Sequence, residues 1–448
     1  FLDHTDDQIG RLVDGLREMG ELDNTILLVL ADNGASQEGG PFGVMHEMKF
    51  FNGLLDTPDD VMDRLDDIGG PHSHTNYPWG WAQCGNAPFK WYKQNTHEGG
   101  VHVPMVVHYP RRVAADQRGT IRDQFVYVSD IVPTIYDLLG VTPPQIYRGI
   151  EQLPVTGRSF AGVLDDPNAP AANTVQYFEM MGSRAIVAGE WKAVCKHLPG
   201  TDFQTEQWEL YHLATDFSEC HDQAGAQPER LAAMIDLWWA EAEKNSVLPL
   251  DDRTIELFGA RFRPHSPHPV DQRYVYRPPM SPLPGQAAAA IGGRDFDLTA
   301  RISRTAGQDG VLFATGTENS GIAVFVQDDR FVVDYNAFND HAMIASTVAV
   351  PTGDSTLVAR LRRGAGRSGS ISLEVNGQPA GAVELPLVMM MISSVGASIG
   401  YNHGSAVSER YEAPFGFAGA LHSLEIQLID DDGPAAQQAR AAAEMSRQ

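Results

Sequence analysis

The sequence predicts an α/β region followed by an antiparallel β-sandwich, and three observations carry this prediction. Helical and strand-like apolar patterns alternate over residues 1–257. Residues 258–293 are rich in proline, which cannot sustain a helix or an inner strand, so we expect a linker there. Over residues 294–430 apolar side chains recur with a period of two between turn residues, which is typical of a β-sandwich. Residues 431–448 are rich in alanine and charge and are expected to form a tail.

The first elements are predicted to be a helix, a short loop and a strand. Thr5 and Gln8 have the spacing of a capping box, apolar residues follow at helical intervals, and Gly20 lies where the helix should end. The apolar run at residues 26–31 predicts a buried strand of the parallel type, and it leads directly into Asp32. Because ligands collect outside the carboxyl ends of such strands, this acidic residue is a site candidate. The alternative is that the Asp-Asn-Gly tripeptide is only a turn.

Local patterns predict the later elements. Thr57, with Pro58 at the first helical position, predicts a short capped helix that ends at Gly69. Apolar spacing predicts two more helices and one strand in the first region, at residues 130–139, 228–243 and 103–109. In the sandwich region, apolar residues alternate with polar neighbours in several runs, centred for example on Leu298, Val324 and Val333. One such run ends in Asn376-Gly377, a strong hairpin-turn sequence.

Composition and charge exclude several classes of protein. The chain has 448 residues and is 43% hydrophobic, which is ordinary for a folded globular protein. Its net charge of −25 repels nucleic acid and anionic membranes, so neither is an expected partner. A site for an anionic substrate would therefore need its own cations or a metal ion. No segment approaches the roughly 20 apolar residues that a membrane helix needs.

Two motifs carry a resemblance to a known family. The segment GRLVDGLREMGELDNTILLVLADNGASQEGG and the later segment YKQNTHEGGVHVPMVVHYP resemble the sulfatase family, the formylglycine-dependent sulfuric ester hydrolases of the alkaline phosphatase superfamily. The segment EKNSVLPLDDR is similar to the bacterial arylsulfatase-like subgroup. The resemblance implies a partial alkaline phosphatase-like sheet with flanking helices. It also implies a small antiparallel subdomain at about residues 175–225, followed by the β-sandwich.

The resemblance also implies roles for individual residues. Asp32 and Asn33 match the later pair of the family's metal ligands, and both offer the hard oxygen ligands that suit Ca²⁺ or Mg²⁺. Lys93 matches the family's sulfate-binding lysine, whose ammonium would stabilise the negative charge that ester cleavage builds up. Taken without its motif, a lysine at this position is more often a solvated surface cation than a ligand for an anion. Four histidines are weaker candidates and stay outside the predicted site, namely His46, His72, His74 and His97.

The expected activity follows from the family. The resemblance implies an arylsulfatase-like hydrolase that cleaves small-molecule sulfate monoesters at a divalent-metal site. One alternative is a phosphonate or phosphodiester hydrolase, because the superfamily shares the scaffold and the metal ligands. A different alternative is a non-catalytic remnant whose β-sandwich binds carbohydrate through aromatic residues such as Tyr335, Phe338 and Tyr401.

The family's nucleophile has no match in the chain. Sulfatases of this type use a formylglycine made from the first residue of a Cys/Ser-x-Pro-x-Arg motif, an instance of covalent catalysis. None of Cys84, Cys195 and Cys220 begins such a motif, and no serine does. We therefore expect the C-terminal part of a sulfatase, with the formylglycine upstream of Phe1 and residues 1–448 inactive alone. Such a part should also fold poorly, since it exposes apolar strand edges.

Overall fold

The computed structural model describes residues 2–253, 273–285 and 287–429. The predicted tail, and residues 258–272 of the predicted linker, lie outside the described residues. The α-helices are α1 (Leu2–Glu18), α2 (Glu47–Phe51), α3 (Pro58–Met62), α4 (Trp79–Asn86), α5 (Glu98–Val101), α6 (Ile131–Leu139), α7 (Ala161–Asp165) and α8 (Pro228–Lys244). The strands are β1 (Leu27–Leu30), β2 (Met105–His108), β3 (Ile146–Tyr147), β4 (Ile150–Glu151), β5 (Val175–Met180), β6 (Ser183–Ala188), β7 (Trp191–Cys195), β8 (Glu209–His212), β9 (Arg273–Tyr276), β10 (Asp295–Arg304), β11 (Gly310–Thr317), β12 (Ser320–Gln327), β13 (Arg330–Ala337), β14 (Asp340–Ala345), β15 (Gly353–Arg363), β16 (Gly369–Val375), β17 (Gln378–Leu385), β18 (Ala397–Ile399) and β19 (Ala420–Ile429). This mixture of helices and sheets, with antiparallel sheets at the C-terminal end, confirms the predicted fold class.

The chain divides into two compact units. The N-terminal unit comprises residues 1–36 and 80–252, and the sandwich unit comprises residues 37–79 and 253–448. The sequence places residues 37–79 with residues 1–257, whereas the structure groups them with the sandwich. The reason is a set of long-range hydrogen bonds through Asn52, whose side chain donates to the carbonyl of Met391 at 2.8 Å and accepts from the backbone of Met390 at 2.6 Å.

The sandwich unit has two antiparallel sheets that share one core. Their strand orders are β17-β16-β15-β10-β19-β9 and β14-β13-β12-β11-β18. Along β10, alternate residues such as Phe296 and Leu298 are buried in this core, which confirms the predicted period of two. Asn376 and Gly377 have φ angles of 52° and 78°, as expected for a hairpin turn of type I′.

Two expectations for the sandwich region need correction. Strand β12 does not alternate between buried and exposed residues, because Phe325 on its other face packs under Tyr411 and Phe415. Because both faces of β12 are covered, residues on both faces are apolar and the alternation with polar residues is lost. The predicted linker contains strand β9, which pairs with β19 at the edge of a sheet. Proline is tolerated beside an edge strand, so the proline-rich composition did not exclude this strand.

The N-terminal helix begins upstream of the predicted capping box. Helix α1 begins at Leu2, so Thr5 lies inside it and is not its N-cap. The helix extends upstream because residues 2–4 contain neither glycine nor proline. Its end agrees with the prediction: Gly20 has a φ of 73°, and Glu21 N–H donates to the carbonyl of Leu16 at 3.0 Å. None of the described helices is long and apolar enough to cross a lipid bilayer.

The predicted parallel strand is antiparallel and only partly buried. Strand β1 pairs with β2 in antiparallel register, with Leu27 opposite His108. Three of its residues are half-buried and Leu30 is exposed. An apolar run indicates burial, but the direction of the neighbouring strand depends on the path of the intervening chain. Within the described part of the chain β1 has β2 as its one neighbour, which leaves its other edge open.

A four-stranded antiparallel sheet, β5-β6-β7-β8, carries helix α8 on one face. Trp238 of α8 is fully buried against Ile186 and Leu210, and its indole N–H donates to the carbonyl of Phe178 at 3.1 Å. The four strands lie within residues 175–225, where the sequence predicts a small antiparallel subdomain.

The start of helix α6 is held by side chains of residues 130–134. The buried Asp130 carboxylate accepts hydrogen bonds from the backbones of Tyr127 and Arg158, both at 2.8 Å. The hydroxyl of Thr134 accepts from Phe160 N–H at 3.0 Å. These contacts fasten the start of α6 to the segment before α7.

Candidate active site

The two sequence motifs meet at one end of the β1–β2 pair. In the antiparallel register, β1 ends where β2 begins, so the segment after β1 lies beside the segment before β2. The backbone N–H of Lys93 donates to the carbonyl of Ala35 at 3.1 Å, and the N–H of Gly34 donates to the carbonyl of Gly100 at 3.1 Å. Main-chain hydrogen bonds therefore join the Asp-Asn-Gly motif directly to the Lys93-to-Gly100 motif.

Backbone segments approach closely at three glycines. A Cβ on Gly34 would lie 1.7 Å from the carbonyl oxygen of Gly99. A Cβ on Gly99 would lie 2.0 Å from the carbonyl oxygen of Trp91, and one on Gly100 would lie 1.9 Å from that of Asn95. Each opposing atom belongs to the backbone and cannot rotate away. Gly34 therefore allows the two motifs to approach each other, and Gly99 and Gly100 allow the second segment to fold back on itself.

Asn86, at the end of α4, fastens the same joint with its side chain. Its Oδ1 accepts from the backbone N–H of Ala35 at 2.9 Å. Its Nδ2 donates to the carbonyl of Trp91 at 3.0 Å and to that of Gly99 at 2.7 Å. One carboxamide thus satisfies three backbone groups from two distant segments, which a single sequence gives no reason to expect.

The three predicted site residues occupy this joint. Asp32 is exposed, whereas Asn33 and Lys93 are half-buried. Lys93 lies on a turn, and its backbone hydrogen bond to Ala35 holds that turn against the Asp-Asn-Gly segment. The Nδ2 of Asn33 donates to the carbonyl of Gly34 at 3.0 Å, which leaves the Oδ1 as the atom suited to a cation.

The chemistry of Asp32 and Asn33 fits a hard divalent cation, but two oxygen ligands are few. Ca²⁺ takes six to eight oxygen ligands and Mg²⁺ takes six, part of which are commonly water. Among the described residues, no group of three or more histidine, cysteine, aspartate and glutamate side chains is placed to hold a metal ion. The pair fits part of a coordination sphere.

A buried lysine lies between two carboxylates, one of which belongs to Glu98 of the Lys93-to-Gly100 motif. The ammonium of Lys192 is 2.7 Å from Glu98 Oε1 and 3.0 Å from Glu219 Oε1, and its side chain is fully buried. Glu219 also accepts from the backbone N–H of Glu98 at 2.8 Å. Burial raises the pKa of Glu98, but the Lys192 ammonium and a hydrogen bond with His102 outweigh it and hold that pKa at about 2.

The low pKa of Glu98 makes stability depend on pH. A carboxyl whose pKa lies below its ordinary value of 4.5 stabilises the folded state above that value, and this contribution is lost as the pH falls towards about 2. We expect the free energy of unfolding to fall more steeply below about pH 5 in the wild type than in Glu98→Gln, by up to about 1.4 kcal/mol per pH unit. Urea unfolding of both proteins measured between pH 6 and pH 3 tests this. An equally steep fall in the free energy of unfolding of the wild type and of Glu98→Gln would contradict it.

A second cluster centres on Glu209 at the start of β8. Its Oε2 accepts from Lys90 Nζ at 2.9 Å and from Tyr211 Oη at 2.5 Å, and lies 3.2 Å from His97 Nε2. The hydrogen bond from His97 is the largest cause that holds the pKa of Glu209 far below its usual range. Burial and the adjacent carboxylate raise the pKa of Tyr211.

The structure separates the four weaker histidine candidates. His97 lies inside the Lys93-to-Gly100 motif and is 1% exposed, whereas His46, His72 and His74 belong to the sandwich unit. His97 stayed outside the predicted site because its segment does not match the family's catalytic histidine motifs, and its partner Glu209 lies 112 residues away. The cluster of Glu98, Lys192 and Glu219 was also missed, since Lys192 and Glu219 lie 94 and 121 residues after Glu98 in the chain.

The N-terminal unit is an α/β domain in which the two motifs meet on loops at one end of a strand pair. Two family models match the chain: Sulfatase over residues 1–141, and N-sulphoglucosamine sulphohydrolase, C-terminal, over residues 88–236. Together these matches support a member of the sulfatase family.

Individual relatives agree with this family. An uncharacterized sulfatase of Schizosaccharomyces pombe is 32% identical over 263 residues, covering 57% of this chain and 44% of the relative. An arylsulfatase of Klebsiella aerogenes is 28% identical over 35% of this chain and 32% of its own length. The N-acetylgalactosamine-6-sulfatase of Mus musculus is 25% identical over 49% of this chain and 32% of its own length. The chain thus spans less than half the length of these relatives. The solved structure of Ps i-CgsB aligns with a TM-score of 0.37 at 21% identity, covering 56% of this chain and 44% of that one.

Proposed function

We propose that this protein hydrolyses sulfate monoesters at the joint that carries Asp32, Asn33 and Lys93. The observation that carries the proposal is the hydrogen bond of 3.1 Å between Lys93 N–H and the carbonyl of Ala35, which holds a cation-bearing turn against the Asp-Asn-Gly segment. The sulfatase family models over residues 1–236 support the reaction class. Because the whole chain carries a net charge of −25, a local lysine and a metal ion would be needed to attract an anionic ester.

Within this proposal, each residue has a role that suits its chemistry. Asp32 and Asn33 would supply part of the oxygen shell of a Ca²⁺ or Mg²⁺ ion, which would neutralise charge on the sulfate group. Lys93 would bind a sulfuryl oxygen and stabilise the charge on the departing oxygen. The nucleophile would be a formylglycine, and no Cys/Ser-x-Pro-x-Arg motif that could supply it occurs in the 448 residues.

The two alternatives differ in their support. A phosphonate or phosphodiester hydrolase would use the same residues, so only the choice of ester separates it from a sulfatase. A carbohydrate-binding sandwich is less supported, because Tyr335 is 1% exposed and Phe338 is 7% exposed, and both belong to the core of the sandwich unit. Buried rings cannot stack on a sugar, so of the three named aromatics only the half-buried Tyr401 could contact one.

Hydrolysis of paired esters tests the proposal. We would assay residues 1–448 and the whole product of the gene with 4-nitrophenyl sulfate, 4-nitrophenyl phosphate and bis-4-nitrophenyl phosphate, with and without EDTA. We expect the whole product to prefer the sulfate ester and to lose activity in EDTA, while residues 1–448 alone turn over none of the three. A preference for either phosphate ester would favour the alternative reaction, and metal-independent turnover by residues 1–448 would overturn the proposal.

Lys93 should be needed for turnover. In the whole gene product, Lys93→Met is expected to lower kcat/KM for 4-nitrophenyl sulfate by about 10²-fold or more, as when one donor to a developing oxyanion is removed. The matched control is Lys244→Met, since Lys244 on α8 is largely exposed and its neighbour Glu241 is three residues away. Equal kinetics for the two variants would remove Lys93 from the site.

A further inference from the structure

We propose that Glu209 is a positioning residue that holds Lys93 in place through His97 and Lys90. The inference deepens the proposed function, because it rests on Lys93 being the cation that binds the ester. Glu209 lies on β8, more than a hundred residues beyond Lys93 in the chain. It needs no contact with the substrate for this role.

The first observation is that one carboxylate oxygen holds three donors. Lys90 Nζ, His97 Nε2 and Tyr211 Oη all lie within 3.2 Å of Glu209 Oε2. Hydrogen bonds to an ionised acceptor are about twice as strong as neutral ones. The same bonds favour the ionised form of Glu209 and hold its pKa far below the usual range.

The second observation is that two of these donors flank Lys93 in the chain. Lys90 lies three residues before it and His97 four residues after it. The segment that contains all three residues closes on itself, because Gly99 N–H donates to the carbonyl of Lys90 at 2.9 Å. Gln94 has a φ of 69°, so the turn at Lys93 is tight. A loop closed on itself and held by one carboxylate at both ends leaves the turn little freedom.

The third observation concerns the other nitrogen of His97. The hydrogen bond to Glu209 makes Nε2 the donor, and Nδ1 is buried without a hydrogen-bond partner among the described residues. The hydroxyl of Thr96 is buried and unpartnered in the same sense. The hydrogen bond with Glu209 therefore orients the imidazole ring of His97. Without the carboxylate, the ring and the adjacent turn would lose their fixed orientation.

The substitution Glu209→Gln isolates this role. Glutamine keeps the shape of the side chain and the backbone pairing of residue 209 with Val194 in the β7–β8 ladder, but it removes the charge. The matched control is Glu190→Gln, because Glu190 lies in the turn between β6 and β7 of the same sheet, also contacts a histidine, His212, at 3.2 Å, and is distant from the loop in sequence.

Amide hydrogen exchange measures the freedom of the loop without any need for turnover. In Glu209→Gln we expect the amides of Lys93, Gly99 and Gly100 to exchange roughly ten-fold faster or more, as after loss of a charge-assisted hydrogen bond. Amides of the β5–β6 ladder, and all these amides in Glu190→Gln, should keep wild-type rates. The ¹⁵N shifts of His97 should report an Nε2–H tautomer in the wild type and a mixture in Glu209→Gln, a change that general destabilisation would not produce.

The outcomes separate this inference from the proposed function. Unchanged exchange at the three amides, or an equal rise throughout the N-terminal unit, would overturn the positioning role whatever the protein hydrolyses. Faster local exchange together with wild-type turnover by Lys93→Met would leave the loop anchor intact and remove the proposed function instead. If Glu209→Gln does not fold, Lys90→Met serves the same test, since it removes one of the three donors and should loosen the same amides to a smaller extent.

Discussion

Replacing Lys192 with methionine is expected to lower the free energy of unfolding of the N-terminal unit by about 3–5 kcal/mol, the usual cost of removing one partner from a buried ion pair. Methionine fills a similar volume but leaves two carboxylates without their cation. The side chains of Glu98 and Glu219 are 8% and 0% exposed, so water cannot replace the lost partner. Urea unfolding followed by tryptophan fluorescence measures this effect, because six of the seven tryptophans lie in the N-terminal unit.

The control for Lys192 is the same change at an exposed lysine. The side chain of Lys244 is 69% exposed, so Lys244→Met should change the unfolding free energy by no more than about 0.5 kcal/mol. Adding Glu98→Gln to Lys192→Met should cost less than Glu98→Gln costs alone, because the lysine that paired with this carboxylate is already gone. Additive costs, or a Lys192→Met variant as stable as the wild type, would show that the buried cluster does not act as a unit.

Replacing Gly34 with alanine is expected to separate the two motifs. The new Cβ would lie 1.7 Å from the carbonyl oxygen of Gly99, a distance that no rotamer can relieve. The backbone must therefore move, at a cost of roughly 1–3 kcal/mol or more. Because misplacement by about 1 Å can reduce a rate about 10²-fold, we also expect a loss of this order in sulfate ester turnover by the whole gene product.

Gly10 provides the comparison for Gly34. It lies within α1, and a Cβ there would meet no atom within 4 Å. Gly10→Ala should therefore leave turnover unchanged and stabilise the helix by about 0.5–1 kcal/mol. If Gly34→Ala matched Gly10→Ala in both stability and turnover, the close contact between the backbones of the two motifs would be needed for neither.

Patterns that depend on local sequence were predicted well. The alternation along β10, the hairpin turn at Asn376 and the helices α6 and α8 all follow from spacing within a few residues. The predicted cap of α3 is also present, where Thr57 N–H donates to the Asp60 carboxylate at 2.8 Å, but the helix ends at Met62 and not at Gly69 as the apolar spacing predicted. These features could be predicted because they depend on residues that are close together in the sequence.

Features that depend on distant partners were missed. The direction of β1 is decided by β2, which begins 75 residues after the end of β1 in the chain. Asn86 looks like an ordinary turn residue in the sequence, and its role appears only when three backbone groups from two segments surround it. Glu209 reads as one polar residue of a short strand, and nothing near it indicates Lys90 or His97 as partners. The positions of Asp32, Asn33 and Lys93 came from the family resemblance, and their roles stay predictions.

The joint between the motifs has a consequence for how such proteins can diversify. The hydrogen bonds of the joint run mainly between peptide groups and through the carboxamide of Asn86. They therefore depend little on the other side chains of the segment that connects the two motifs. Residues 37–79 lie between the two motifs in the sequence, but the structure groups them with the sandwich unit. An excursion of this kind can lengthen, shorten or change its chemistry while the joint between the two motifs keeps its shape.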